Sequence, residues 1–361
     1  MNARRLIALA TAALLVAIVA VWVSVRGSGN EQRPASGPAP VLASLADALD
    51  GLTEVRLARG DGTATTLQRR ASGWFVAQRN YPADAGKLRT LLMGLSTLHA
   101  VEQKTSDPAR YAVLNVEDAA GAQSHSVRID VVAPARSWSL LLGRAAEPDG
   151  SYVRVPGVAA ALLAQPRIDA DPQPARWIDT RLLDVAADRI AQVTVQPAGE
   201  KPYRLTREKR GASDLTLHGV PPGRKPASPA VLDAVAGALV RLSAEDVKQR
   251  PQAAPEHPSR ASFRTFDGLR LDLDGYREGA DAWIRVSASV DTDVARRFAA
   301  GGAAASGDRQ VSDSADPAAE AAAINARVQG YDFQVPVYQY DQLYRQLREL
   351  LAPPAQPKGR K

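Results

Sequence analysis

Residues 6–25, LIALATAALLVAIVAVWVSV, contain no charged residue and no proline, and this run of 20 constrains the chain more than any other stretch. At about 1.5 Å of rise per residue, a helix of that length reaches roughly 30 Å, the thickness of a bilayer's hydrocarbon core. Arg4 and Arg5 precede it, so the positive-inside rule predicts a cytoplasmic N-terminus and export of the remaining chain. A cleaved signal peptide is the competing reading. Its apolar region would span about 7–15 residues and end at small side chains, whereas this run is longer and closes on Val21-Trp22-Val23-Ser24-Val25. The expectation is an uncleaved single-pass anchor in a bacterial inner membrane, with the bulk of the chain periplasmic. The chain has no cysteine, so lipidated cysteines and disulfides are impossible and the exported part relies on its core alone.

Roughly 335 residues lie beyond the anchor, enough for two domains. A hydrophobic fraction of 45% suits a globular fold and not a second membrane domain. The net charge of +6 comes from 45 basic and 39 acidic residues of interspersed sign. That balance describes a solvated surface, and no nucleic-acid partner is expected. The densest basic cluster, Arg204, Arg207, Lys209 and Arg210, falls at a strand end and turn.

Composition and periodicity divide the chain into segments. Residues 1–27 form a cytoplasmic stub and anchor, and residues 28–40, rich in Gly, Ser and Pro, a flexible tether. Residues 41–164 form a first α+β domain. Leu42, Leu45 and Leu52 predict a short docking helix, and Val55, Leu57 and Leu67 flank a hairpin turn at Asp61-Gly62. Trp74 and Val76 mark a further strand. Asp84 caps a helix striped by Leu88, Leu91, Leu95 and Leu98, which packs on strands at 127–131, 138–142 and 152–155. Residues 165–188 form a linker containing Pro166, Pro172 and Pro174.

Residues 189–351 repeat the first domain. Val55 and Leu67 match Val193 and Leu205 at a displacement of 138, and the four helix leucines match Leu232, Val235, Leu239 and Leu242 at 144. Lys104 matches Lys248 at the same displacement, and Trp138 matches Trp283 at 145. Ser228 and Pro229 supply an N-cap and a first helical residue. Val155-Pro156 matches Val335-Pro336 at 180, which places an insertion of about 35 residues near 291–329. Its small-residue composition predicts a flexible loop, with a transient helix over 318–328. A last helical stripe runs over 341–351 on Leu343, Leu347 and Leu350, before a basic tail at 352–361. The expected fold is α+β: one membrane helix, then two related domains of short antiparallel strands packed on an amphipathic helix.

Chemistry is less legible. His99, His125, His218 and His257 share no metal-ligand spacing. Asp272, Asp274 and Gly275 resemble the start of a calcium loop, but Leu271 and Leu273 alternate with them as in a half-buried strand, and Trp283 stands where a loop would need glutamate. Trp74, Trp138 and Trp283 read as core residues on strands. No nucleophile elbow or phosphate-binding glycine loop occurs. No catalytic, cofactor-binding or metal-ligating residue is therefore assigned, and neither a cofactor nor a metal is expected.

A set of short motifs is shared with a known family. Gly73-Trp74, Tyr81-Pro82-Ala83-Asp84 before the leucine-striped helix, Lys104-Thr105 with Asp107-Pro108 and Tyr111, Leu142-Gly143, Tyr152-Val153-Arg154, and Trp177-Ile178-Asp179 before Leu182-Leu183 resemble the bacterial domain of unknown function 4340. That family has no established catalytic residues. The resemblance implies a single N-terminal anchor and a setting beside gliding-type ABC exporters, hence an ABC-type permease and ATPase as partners. The expected function is a non-enzymatic, membrane-anchored accessory or scaffold subunit. The alternative is a periplasmic protein that binds a glycan, lipid or peptide between its two domains.

Overall fold

The computed structural model describes residues 39–353, apart from 211, 213–214, 295, 297 and 299–315. The anchor expected at residues 6–25, all but the end of the tether, and the tail from 354 onward lie outside the described residues. Among the described residues no helix is long and apolar enough to cross a membrane.

The fold is mixed α and β, and every strand pairing among the described residues is antiparallel. The first copy contains β1 (Glu54–Arg59), β2 (Ala64–Arg70), β3 (Gly73–Val76), β4 (Tyr81–Pro82), α1 (Ala85–Thr97) and β5 (His99–Thr105). A helical turn α2 (Tyr111–Leu114) comes next, then β6 (Val127–Ala133), β7 (Arg136–Ala146), β8 (Gly150–Arg154) and β9 (Ala161–Gln165). These strands form one nine-stranded sheet in the order β4-β3-β2-β1-β6-β7-β8-β9-β5. Helix α1 thus leaves from one edge strand and delivers the chain to the other. Laid flat, nine strands would separate those edges by roughly 38 Å, whereas a 13-residue helix is only about 20 Å long. The sheet must therefore curl round α1. Leu88, Leu91, Leu95 and Leu98, each at most 3% exposed, fill the space between them.

Local chemistry explains the turns. Asp84 accepts the backbone N–H groups of Gly86 and Lys87 at 2.9 and 3.0 Å, capping α1 as its position before the leucine stripe predicts. The β1–β2 hairpin closes on Asp61-Gly62, where Asp61 accepts from Thr63 N at 2.8 Å and Gly62 takes φ 90°. Ahead of β1, Leu42, Leu45 and Leu52 are buried as expected, but the helix between them is a 3₁₀ segment, Ala46–Gly51.

Residues 165–188 are a packed part of the body. Trp177, Ile178, Leu182, Leu183 and Val185 are buried, and β10 (Arg181–Leu183) pairs with β14 (Leu242–Ser243). The second copy holds β11 (Ile190–Gln196), β12 (Tyr203–Thr206), β13 (Thr216–His218), α3 (Pro229–Ala236), β14, β15 (Asp246–Gln249), β16 (Ser259–Thr265), β17 (Leu269–Glu278) and β18 (Asp281–Val290). Next come α4 (Pro317–Val328), β19 (Tyr331–Val335) and α5 (Val337–Leu343). Its eight-stranded sheet has the order β13-β12-β11-β16-β17-β18-β19-β15, matching the first.

Strand registers correct parts of the repeat. Val55 pairs with Leu67 and Val193 with Leu205, so the displacement of 138 holds at residue level. Gln103 pairs with Leu162 and Val247 with Phe333, which places β5 over β15 at 144 and β9 over β19 at 171. Trp138, however, lies on β7 and its counterpart is Leu271, since Val131 pairs with Trp138 as Phe263 pairs with Leu271. The counterpart of Trp283 is Tyr152. Val155-Pro156 follows β8 whereas Val335 closes β19 and Pro336 follows it, so that match joins unrelated strands. Identity of residue type misled both matches, because a shared tryptophan or Val-Pro pair carries no information about register.

The insertion lies between β18 and β19, and its end is a docked helix. Ala321, Ile324 and Val328 of α4 are buried, and Asn325 exchanges two hydrogen bonds with the backbone of Ala288 at 2.9 and 2.8 Å. Its cap is Asp316, bonded to Ala318 N. At α3, Ser228 makes no side-chain cap bond, although Pro229 opens the helix as predicted. The stripe at 341–351 is also divided: α5 ends at Leu343 and a 3₁₀ turn resumes at Leu347–Leu350. One continuous cluster of buried side chains joins both copies from Leu42 to Leu351.

Candidate functional site

Both copies contribute side chains at the junction between them. On the first copy the chain reverses between β3 and β4 through Asn80, whose φ of 50° is left-handed, a conformation asparagine adopts more readily than most residues. The turn presents Arg79 to the edge strand β15, where Nε and Nη2 each donate to a carboxylate oxygen of Asp246 at 2.7 Å. Such a planar, two-point contact fixes orientation as well as charge. Asp246, chiefly through these hydrogen bonds, raises the pKa of Arg79 above its ordinary value.

Tyr81 lies behind the ion pair, 2% exposed, with its ring edge-on to Tyr331 at 5.1 Å and to Phe333 at 5.6 Å. Burial, with the nearby Asp179 carboxylate, pushes its phenol up to about 12. Tyr331 in turn donates its hydroxyl to the Asn80 carbonyl. The connecting segment is bonded to both copies: Asp84 N donates to Trp177 O at 2.8 Å, Asp179 N to Pro82 O at 2.9 Å, and Ala244 N to Thr180 O at 2.8 Å.

A polar network continues across the outer face of β15, β19, β18 and β17. The Lys248 ammonium stands 4.0 Å from the Trp283 ring centroid and 2.6 Å from Glu278. Asp332, fully buried on β19, accepts Nε and Nη2 of Arg285 at 2.9 Å and the Tyr276 hydroxyl at 2.8 Å. Burial pushes the Asp332 carboxyl upward, but the bonds from Arg285 and Tyr276 and the charges of Arg285 and Arg250 outweigh it and hold it below the usual range. Burial and the same hydrogen bond push the Tyr276 phenol well up. Asp267, on the β16–β17 turn, shows the same balance: burial raises its carboxyl, and Thr265 and Arg189 lower it further.

A cleft of about 490 Å³ opens at the junction, lined by Arg79, Asn80, Asp246, Lys248, Gln249 and Trp283. A larger groove, about 750 Å³, runs beside the start of α1 between Lys87, Arg167, Asp169 and Arg176. It belongs to the first copy and its linker, and several of its polar groups are engaged: Asp84 caps the helix, Lys87 donates to the Arg176 carbonyl, and Arg176 pairs with Asp171. The junction is the stronger candidate because it needs both copies. Its charges are matched to each other, an arrangement that fixes two bodies in one orientation. General acid–base work would instead want a group whose pKa lies near the operating pH.

The residues weighed from sequence lie elsewhere. Asp272 and Asp274 sit on β17, paired with Arg270 at 2.9 Å and Arg260 at 3.7 Å, as the strand reading predicts. His218 shares a 2.7 Å hydrogen bond with Thr206, while His99 lies on β5, and among the described residues no three His, Asp or Glu gather as metal ligands. The cluster at 204–210 does not form one cationic face. Arg207 turns inward, 6% exposed, onto the Ala187 carbonyl at 2.6 Å and Asp233 at 3.3 Å. Sequence reasoning missed Arg79, Asp246 and Asp332. The last left a signal, a lone aspartate between two aromatics in the strand Tyr331–Val335.

Comparison with curated proteins and with solved structures gives no significant match. Residues 74–261, just over half of the chain, match the model of a family described as a domain of unknown function (DUF4340), from β3 of the first copy to β16 of the second. The motifs at Tyr81–Asp84 and Trp177–Asp179, which hold the junction together, lie within that match, and the chain belongs to the DUF4340 family.

Proposed function

We infer that this chain is a non-enzymatic accessory or scaffold subunit, anchored in a bacterial inner membrane by residues 6–25 and working on its outer side with an ABC-type permease and ATPase. The observation that carries this reading is the junction: an arginine–carboxylate clamp, an aromatic cluster and a doubly bonded linker make one rigid body of two copies. A rigid, mostly polar body on a tether suits a part that positions other proteins. Proton-transfer chemistry is not what the charged side chains are tuned for. Every carboxylate with a perturbed pKa among the described residues is lowered, and every perturbed arginine or lysine is raised.

The test is a mild-detergent pull-down of the full-length tagged protein from its native membrane, against a control lacking residues 28–361. Recovery of a permease and an ATPase only with the exported part is the expected result. Recovery of neither, from folded protein, would overturn the reading in favour of a ligand held in the cleft of about 490 Å³, a volume within the usual range for small-molecule sites. Ligand-dependent rises in melting temperature would then identify the ligand.

A further inference from the structure

The contact between the copies is heterologous: a turn on the first meets an edge strand on the second. A duplicated fold joined in this way leaves one acceptor edge and one donor turn unused. The used acceptor is Asp246, Lys248 and Trp283, on β15 and β18. Strand registers place Glu102, Lys104 and Tyr152 at the same three positions of the first copy. Acid, lysine and aromatic side chain are therefore all repeated. Among the described residues no arginine pairs with Glu102, which instead meets Lys104 of its own strand at 2.5 Å, while Arg144, from β7 of the same sheet, lies over the Tyr152 ring at 5.3 Å. The edge beside it is open: Val101 is 52% exposed and Gln103 is exposed, whereas Val247, the counterpart of Gln103, is fully buried beside Phe333.

The donor is repeated too. Tyr81-Pro82-Ala83-Asp84 corresponds to Lys225-Pro226-Ala227-Ser228, ahead of the equivalent helices. Each turn is backed by the segment that leaves its own sheet, through Asp84 N to Trp177 O in the first copy and Ala227 N to Leu350 O in the second, both at 2.8 Å. At the same displacement of 144 the counterpart of Arg79 is Gly223, and the positive charge comes from the next two residues: Lys225 is exposed, and Arg224 donates Nη2 to the Ala352 carbonyl at 2.9 Å.

We propose that chains of this protein associate head to tail, the Arg224–Lys225 turn of one molecule docking on the Glu102 edge of the next as Arg79 docks on Asp246 within each chain. The intermolecular contact lacks counterparts of Tyr81 and Tyr331, so it is weaker than the internal one and is favoured by confinement to a membrane. It requires no transporter, and its failure leaves the scaffold reading untouched.

The cysteine-free sequence makes the test clean. Two differently tagged full-length chains, one Val101→Cys and one Pro222→Cys, whose exposed site lies beside the docking turn and spares its charges, are co-expressed and treated in membranes with a short bifunctional maleimide. Head-to-tail docking gives a mixed crosslink well above a control pair of Val113→Cys with Pro222→Cys. Adding Glu102→Arg to the first chain lowers the yield on the order of tenfold, and adding Lys225→Glu to the second restores it. A mixed yield no greater than the control, a predominance of Val101→Cys self-crosslinks, or indifference to Glu102→Arg would each overturn the proposal.

Discussion

Tyr81 shows how one side chain reports on the junction. Its ring is packed between Tyr331 and Phe333 and its phenol has a pKa of about 12, against about 10 in an unfolded chain. A folded pKa above the unfolded one contributes stability that is fully present below pH 10 and is lost as pH rises through 12. At about 1.4 kcal/mol per pKa unit, the loss reaches about 2–3 kcal/mol at the top of that window. Tyr81→Phe keeps the ring and is expected to be near neutral at pH 7 while flattening the decline of stability between pH 10 and 12. Urea unfolding at several pH values measures both. The residue was visible in sequence as part of Tyr-Pro-Ala-Asp, but its surroundings were not, because Tyr331 lies 250 residues further along the chain.

Between elements, one tight packing constraint lies where β17 meets the end of α5. A Cβ on Gly275 would stand 2.2 Å from the Tyr344 ring, which is 5% exposed. Neither side can yield, because β17 pairs with both β16 and β18 and the ring is enclosed. Gly275→Ala is therefore expected to cost about 1–3 kcal/mol or more through overpacking. Gly279→Ala, in the adjoining turn with open space around it, is the comparison; there the left-handed φ of 61° alone opposes the change. Denaturant midpoints of the two variants separate the causes. Periodicity identified most elements here, including both core helices and the β1–β2 hairpin. It missed the docking of α4, whose alanine-rich stripe gives little apolar signal and relies on Ile324 and the Asn325 bonds.

For the whole molecule, the Arg79–Asp246 clamp and the shared core predict that both copies unfold in one transition. Arg79→Ala and Asp246→Ala are each expected to destabilise by about 1–2 kcal/mol, with the double variant costing less than the sum. A double-mutant cycle read by calorimetry checks this, and two separated transitions in the wild-type chain would contradict a single cooperative body. Combining Arg79→Glu with Asp246→Arg is expected to recover part of the loss.

The sequence by itself determined the repeating units: the alternation in β1 and β2, the leucine stripe of α1 and its echo at Leu232 and Val235 of α3, whose continuation at Leu239 and Leu242 falls on a 3₁₀ turn and on β14, and the family likeness carried by contiguous motifs. These features depend on local spacing, which a chain cannot hide. Which strand of one copy matches which of the other, how the linker is bound to both, and which charges meet at the junction were decided only by the tertiary structure. A curled antiparallel sheet sets its register through hydrogen bonds between distant strands, and an ion pair such as Arg79–Asp246 spans 167 residues. No local pattern in a single sequence records a partner that far away.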